Sequence, residues 1–304
     1  MAIVTTKRIL KDAQRSGYAV GHFNTSNLEI TKAIIEAASE MNSPVILATS
    51  KGAINYAGMQ QISNIVRTFA NNAKIPVALH LDHSPDLKLV KQCIANNWTS
   101  VMIDASHYSF AKNIELTKKV VLFARKSGVP VEAELGQLKG KEGWVKGKKI
   151  FTDPEQAKVF VEKTDCDSLA VSIGTSHGAY KFKGTPKLDI NRLKEINNFV
   201  KIPLVLHGAS SVPQILVRKA NKYGAKLKGV QGVPDSQTRQ AIKNGICKVN
   251  TDTDIRIAFD LGIRKHLRQN PGDIDYREIL GSAMKEVKTL VKNKIELFGS
   301  ENAG

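Results

Sequence analysis

Three short strings carry most of the chemistry this sequence could perform. They are Leu79-His80-Leu81-Asp82-His83-Ser84, Ile173-Gly174-Thr175-Ser176-His177-Gly178 and Leu204-Val205-Leu206-His207-Gly208. Each begins as an apolar β-type run and ends on ionisable or hydroxyl groups. Burying such groups without partners is costly, so a strand that finishes on them has a use for them. A lone histidine is more often a satisfied core residue than a ligand. Three of them at strand ends reverse that reading. We read His83, His177 and His207 as three ligands of one metal with an open fourth position, the pattern of a catalytic zinc site. Asp82 is then the acid/base beside it. His80 lies inside its strand and reads as supporting. His22 and His107 read as supporting or structural, and His266 as a surface residue.

Elements that could bring these residues together follow from the pattern. Strand candidates are 19–23, 45–49, 77–81, 100–104, 131–135, 168–173, 204–207 and 247–250, with amphipathic helical stretches between them. Pro44, Pro76, Pro130 and Pro203 introduce four of the strands. Strands apolar on both faces and separated by helices imply a parallel sheet covered by helices. About eight such units in 304 residues predict an α/β fold, a (β/α)8 TIM barrel, in one domain over 1–304. It carries an extra N-terminal helix and a C-terminal helical arm from about 275 to 304. No glycine-rich dinucleotide fingerprint follows the first strand.

In a barrel the C-terminal strand ends share one rim. Asn24, Ser50, Asp82 with His83, Asp104, Glu134, His177, His207 and Asn250 would therefore meet. Asp82 and His83 can serve one site only if the strand ends and turns there, as Pro85 suggests. Glu132 and Glu134 share a strand face and call for a cation or donors. Loops after strands six, seven and eight are rich in Gly, Ser and Thr, which suits phosphate binding by backbone N–H groups. The glycine- and lysine-rich segment 138–150 reads equally as a lid or as an ordinary surface loop.

Composition narrows the classes. Three widely spaced cysteines, Cys93, Cys166 and Cys247, argue against a disulfide frame and for a reducing cytoplasm. No run is long and apolar enough to span a bilayer. The formal net charge of +17 is spread along the chain without a nucleic-acid motif. It reads as a solvated surface rather than as a specific nucleic-acid partner.

The ordered set Gly21-His22-Phe23-Asn24, Leu79 to His83, Glu132-Ala133-Glu134-Leu135-Gly136, Gly174 to Gly178, His207 to Ser210 and Asn250 to Asp254 resembles the class II fructose-1,6-bisphosphate aldolases. That metal-dependent family includes tagatose-bisphosphate aldolases. The resemblance covers nearly the whole chain. It implies a glycolytic lyase that cleaves fructose 1,6-bisphosphate reversibly into dihydroxyacetone phosphate and glyceraldehyde 3-phosphate. Zinc would sit on His83, His177 and His207, with Asp104 and Glu134 at positions for a second or alternate divalent ion. A monovalent cation is a further expectation. Asp82 matches the catalytic acid/base and Glu142 the family's loop glutamate. Gly178, Lys181, Gly208, Ala209, Ser210, Asn250, Thr251, Asp252 and Thr253 match the triose-phosphate pocket. Ser50 and Arg256 match positions near the other phosphate, and Arg277 one that reaches it from a neighbouring subunit. The resemblance thus implies a homodimer or homotetramer acting on small sugar phosphates. Two rivals remain at this level. A metal-dependent barrel hydrolase leaves the anion-binding loops unexplained, and a non-catalytic polyanion binder leaves the histidines unexplained.

Overall fold

Branched and aliphatic side chains dominate eight short segments, and each forms a strand. They are β1 (Val20–Asn24), β2 (Val45–Ser50), β3 (Val77–Ser84), β4 (Ser100–Ile103), β5 (Val131–Leu135), β6 (Ser168–Val171), β7 (Leu204–Leu206) and β8 (Ile246–Thr251). The computed structural model describes residues 3–136, 151–175 and 187–304. The eight strands pair in chain order into a closed parallel barrel, with β8 returning to β1. This is the expected TIM barrel.

Alternate residues split into two layers. Val45, Leu47, Val77, Leu79, Leu81, Val101 and Ile103 face the surrounding helices and form the main core. The opposite parity fills the barrel. Lys248 of β8 touches Glu132 of β5, and these strands are not neighbours in the ring, so that contact crosses the interior.

Two register shifts matter for function. Between Leu81 and Ser84 three steps along β3 match two along β4, and His83 takes a left-handed φ of 46°. The strand therefore does not end at Leu81, as the sequence suggested. It continues to Ser84 through a bulge, and the bulge turns His83 toward the face that Asp82 already occupies. A second shift lets Leu204–Val205 match Ile246–Lys248. Val249 stays in the outer core while Cys247 packs in the inner cluster.

Twelve helices are formed by the described residues. The first, α1 (Thr6–Ser16), places Ile9, Leu10 and Ala13 on Val20, Ile46, Ala78 and Cys247. Those four lie at the starts of their strands, so α1 closes the mouth opposite the rim. Next come α2 (Leu28–Glu40), α3 (Lys51–Ala57), α4 (Met59–Asn72), α5 (Leu87–Ala95), α6 (Phe110–Arg125) and α7 (Pro154–Thr164). The series ends with α8 (Ile190–Phe199), α9 (Gln214–Lys222), α10 (Asp235–Lys243), α11 (Thr253–Gln269) and α12 (Tyr276–Phe298). Asn27, Ser50, Asp86, Ser109, Asp153 and Asp189 cap helix N-termini through their side chains. The arm helix α12 packs on α11 and α2. Its end is sewn to the barrel: Ala19 N–H donates to the Phe298 carbonyl at 3.0 Å, and Asn302 N–H to Met41 at 3.0 Å.

Candidate active site

Strands β3, β4, β5 and β7 deliver their last polar residues to one point on the rim. His83 Nε2 lies 2.9 Å from His207 Nδ1. Each ring's other nitrogen is held by a carboxylate: His83 Nδ1 by Asp104 Oδ2 at 2.9 Å, and His207 Nε2 by Glu132 Oε1 at 2.7 Å. Glu132 Oε2 accepts from Lys248 Nζ at 2.8 Å, with both side chains buried. Glu134 Oε2 lies 3.8 Å from His83 Nδ1 and 3.7 Å from His207 Nδ1. Among the described residues that oxygen is buried and has no hydrogen-bond partner.

These contacts fix two of the protons. His207 Nε2–H donates to Glu132, and His83 Nδ1–H donates to Asp104. Burial alone would lower His83, but Asp82 and the Asp104 contact outweigh it and raise the ring well above the usual histidine value. Burial pushes His207 down to about 4. Burial and the neighbouring Asp104 raise Glu134 well above the carboxylate range. Burial would also raise Glu132, but the Lys248 ammonium and His207 hold it well below that range.

Two imidazole nitrogens facing each other, with a buried and unsatisfied carboxylate oxygen beside them, form a donor set that a divalent cation fits. Asp82, His83 and His207 offer atoms within 4.8 Å of one another, as do His83, Asp104 and Glu134. The carboxylates on the distal nitrogens give the orientation usual for metal-ligating histidines.

Asp82 stands beside this centre. Its Oδ1 is 4.0 Å from His83 Nε2 and has no hydrogen-bond partner among the described residues. Its Oδ2 accepts from Asn24 Nδ2 at 2.9 Å, and Asn24 Oδ1 lies 3.2 Å from His22 Nε2. Burial would raise this carboxyl, yet His22 and His83 hold it well below its usual value, so it is ionised. His80, the expected supporting residue, contacts Ser100 Oγ at 2.8 Å.

The remaining expected residues fall in two groups. Ser50, Asn24, Tyr56, Asp252 and Arg256 line one cavity of about 450 Å³. Gly208, with φ 60°, begins the loop after β7, and Ala209 and Ser210 are buried in it. Ser210 Oγ accepts from Asp252 N–H at 3.4 Å, which ties that loop to the one after β8. Asn250 Oδ1 and Thr251 Oγ1 are buried without hydrogen-bond partners among the described residues, and Thr253 opens α11. Arg277 is not brought to this rim: it is exposed at the start of α12 and, among the described residues, bonds Asp275 alone. His266 is largely covered rather than on the surface, and pairs with Asp273 at 2.6 Å. His177, Gly178, Lys181, Glu142 and the whole 138–150 segment lie outside the described residues.

Sequence reasoning missed Lys248. The available signal was a lone charge between Cys247 and Val249 in a strand with apolar neighbours. It also left Glu132 without a specific partner.

Comparison with known proteins agrees with this geometry. Residues 4–303 match the family model described as fructose-bisphosphate aldolase class-II. The fructose-bisphosphate aldolase of Thermus caldophilus is 48% identical over 301 residues, covering 98% of each chain. That of Helicobacter pylori is 44% identical over 304 residues, covering 99% of each. Among solved structures, the YdjI aldolase from Escherichia coli K12 superposes with a TM-score of 0.81 at 32% identity, covering 98% of each chain. A rim of histidines and carboxylates on a closed barrel, matched along nearly its whole length, makes this chain a member of the class II fructose-bisphosphate aldolase family.

Proposed function

We propose that this aldolase cleaves fructose 1,6-bisphosphate reversibly into dihydroxyacetone phosphate and glyceraldehyde 3-phosphate, using zinc held by His83, His207 and His177. The observation that carries the reading is the 2.9 Å approach of His83 Nε2 to His207 Nδ1, with the open oxygen of Asp82 alongside. Glu134 would supply an alternate or second divalent position, with Asp104 orienting His83. A divalent ion there supplies electrostatic stabilisation for the negative charge that develops on the ketone half of the substrate.

The chain's own residues do the rest. In cleavage the C3–C4 bond breaks, its electron pair stays with the three-carbon ketone fragment, and C4 becomes an aldehyde. Asp82 takes the C4 hydroxyl proton on its open oxygen and returns it in condensation. Asn24 holds the other oxygen, so the acceptor does not rotate away. The Glu132–Lys248 pair holds the His207 ring. Gly208, Ala209, Ser210, Asn250, Thr251, Thr253, Gly178 and Lys181 would bind the ketone-side phosphate. Ser50 and Arg256, on the cavity beyond Asn24, would bind the other end, and Asp252, in the ketone-side turn, pairs with Arg256 at 2.8 Å. Fixing both ends converts binding into orientation of the reacting carbons. Glu142 would exchange the proton on the ketone fragment, and Arg277 would enter from a neighbouring protomer of a homodimer or homotetramer.

The test is a coupled triose-phosphate assay on fructose and tagatose 1,6-bisphosphates, with chelator and with zinc added back. We expect zinc-restored cleavage of the fructose ester. Asp82→Ala should lose at least about a hundredfold in turnover, within the usual range for a general acid/base, while keeping zinc. Cleavage that survives complete metal removal, or wild-type turnover in Asp82→Ala, would overturn the assignment.

A further inference from the structure

The loop that follows β7 is held from behind by a buried ion pair that the reaction itself does not use. Lys294, near the end of α12, is 3% exposed among Val291, Ile295 and Phe298. Its Nζ lies 2.6 Å from Asp254 Oδ2 and also donates to Ser211 Oγ. Asp254, in the first turn of α11, is fully buried, and its Oδ1 accepts from Val212 N–H at 3.0 Å. Val212 is buried and sits at φ 39°, a left-handed conformation that a β-branched residue adopts only when its surroundings hold it there. On the other side, a Cβ on Gly232 would overlap the Ser210 carbonyl oxygen, so a second loop presses directly on the same backbone. Gln214 Nε2 closes the frame by donating to Val212 O at 3.3 Å and Val230 O at 3.0 Å.

This hardware exceeds what a surface loop needs, and it converges on the segment from Gly208 to Val212. We propose that Lys294, acting through Asp254, is a positioning residue. It keeps this loop in the form that binds the ketone-side phosphate and so makes the C-terminal arm a working part of the substrate pocket. The inference rests on the aldolase reading for the identity of the ligand. Asp254 fixes Val212, Val212 turns the chain, and the turn aims the backbone N–H groups that precede it. Lys294 neutralises Asp254 and fixes Ser211. Without the ammonium, the carboxylate is left buried and unpaired, and the loop must open to reach water.

The experiment compares Lys294→Met, Asp254→Asn and the double variant with the wild type. It reads kcat and KM for fructose 1,6-bisphosphate, zinc content, melting temperature, and calorimetric affinity for inorganic phosphate. Each single variant should raise KM at least about tenfold and weaken phosphate in parallel, with kcat within about threefold and zinc content unchanged. The double variant removes both charges, while the amide oxygen that replaces the carboxylate can still accept from Val212 N–H. It should recover a KM within about threefold of wild type. It also answers the question if a single variant does not fold. A purely structural role would lower the melting temperature and leave KM and phosphate affinity unmoved, and that result would overturn the proposal. So would a loss confined to kcat or zinc, or a double variant no better than the singles. A wild type that binds phosphate in this pattern but does not cleave the sugar would instead refute the aldolase reading and leave the loop coupling standing.

Discussion

Replacing Lys248 by Met should loosen the metal centre without touching any group that contacts substrate. Lys248 Nζ and Glu132 Oε2 are 2.8 Å apart, and the two side chains are 0% and 2% exposed. At an effective dielectric of about 20, that separation corresponds to an attraction of about 6 kcal/mol. Desolvation of both ions offsets much of it. The expected cost of removing one partner is about 3–5 kcal/mol, because a buried carboxylate is left uncompensated. Glu132 can limit the loss by taking up a proton. His207 Nε2–H then donates to a neutral acceptor, which is weaker than a charge-assisted bond by about 1 kcal/mol. The sign with pH follows from Glu132 being held below its unfolded value in the wild type. Its stabilisation is present above about pH 4.5 and is lost as pH falls through the lower folded value. In Lys248→Met that acid limb moves upward. Urea unfolding of the metal-free protein should show the stability loss. Competitive zinc titration should show affinity down by about 10–100-fold, the usual effect of losing an outer partner. Adding Glu132→Gln should recover part of both. A variant with an unchanged urea midpoint and zinc affinity within twofold would refute the idea that this ion pair holds His207.

Three further outcomes follow from the packing. Burial pushes the thiols of Cys93 and Cys166 up to about 12 and that of Cys247 up to about 11. They stay protonated in the fold while an unfolded chain ionises near pH 9. Their stabilisation is therefore complete below pH 9 and lost as pH rises through 11–12. Denaturation at pH 9.5–10.5 should show stability falling by about 1.4 kcal/mol per pH unit per thiol, and Cys93→Ala should remove one such share of the slope. Gly262→Ala should destabilise by about 1–3 kcal/mol, because the added Cβ would overlap the Ala283 Cα across the α11–α12 contact. Gly281→Ala, inside α12 with nothing within 4 Å of the new methyl, should stabilise by about 0.5–1 kcal/mol. Urea midpoints of the two variants moving in the same direction would contradict this account.

The barrel was legible because its strands are largely apolar runs, four of them introduced by prolines, a local pattern that needs no tertiary knowledge. The rim was legible because His83 and Glu134 stand near the ends of such strands and Asp104 and His207 directly follow them. What escaped was nonlocal or conformational. The sequence shows Asp82 and His83 adjacent, which normally puts them on opposite faces, and only the bulge with its left-handed His83 reconciles them. Short α3, which buries only Ile54, has too little apolar periodicity to be seen. Lys248 stood in plain view, but its partner lies 116 positions away on a strand that is not its neighbour. Lys294 and Asp254 meet only because α11 and α12 pack face to face.

The chain of contacts inside the barrel has a consequence for anyone rebuilding this scaffold. From the plugged mouth, Thr6 Oγ1 donates to Ser100 Oγ at 2.7 Å, and Ser100 Oγ meets His80 Nδ1 at 2.8 Å. Nearer the rim, Glu132 joins Lys248 to His207. Each of these two sets resists stepwise revision, since swapping one member for an aliphatic residue strands its neighbour away from solvent. A laboratory lineage seeking an oily interior would have to cross a valley of half-paired intermediates. Only several simultaneous exchanges avoid that valley, so the polar filling can persist through evolutionary drift even where it adds little net stability.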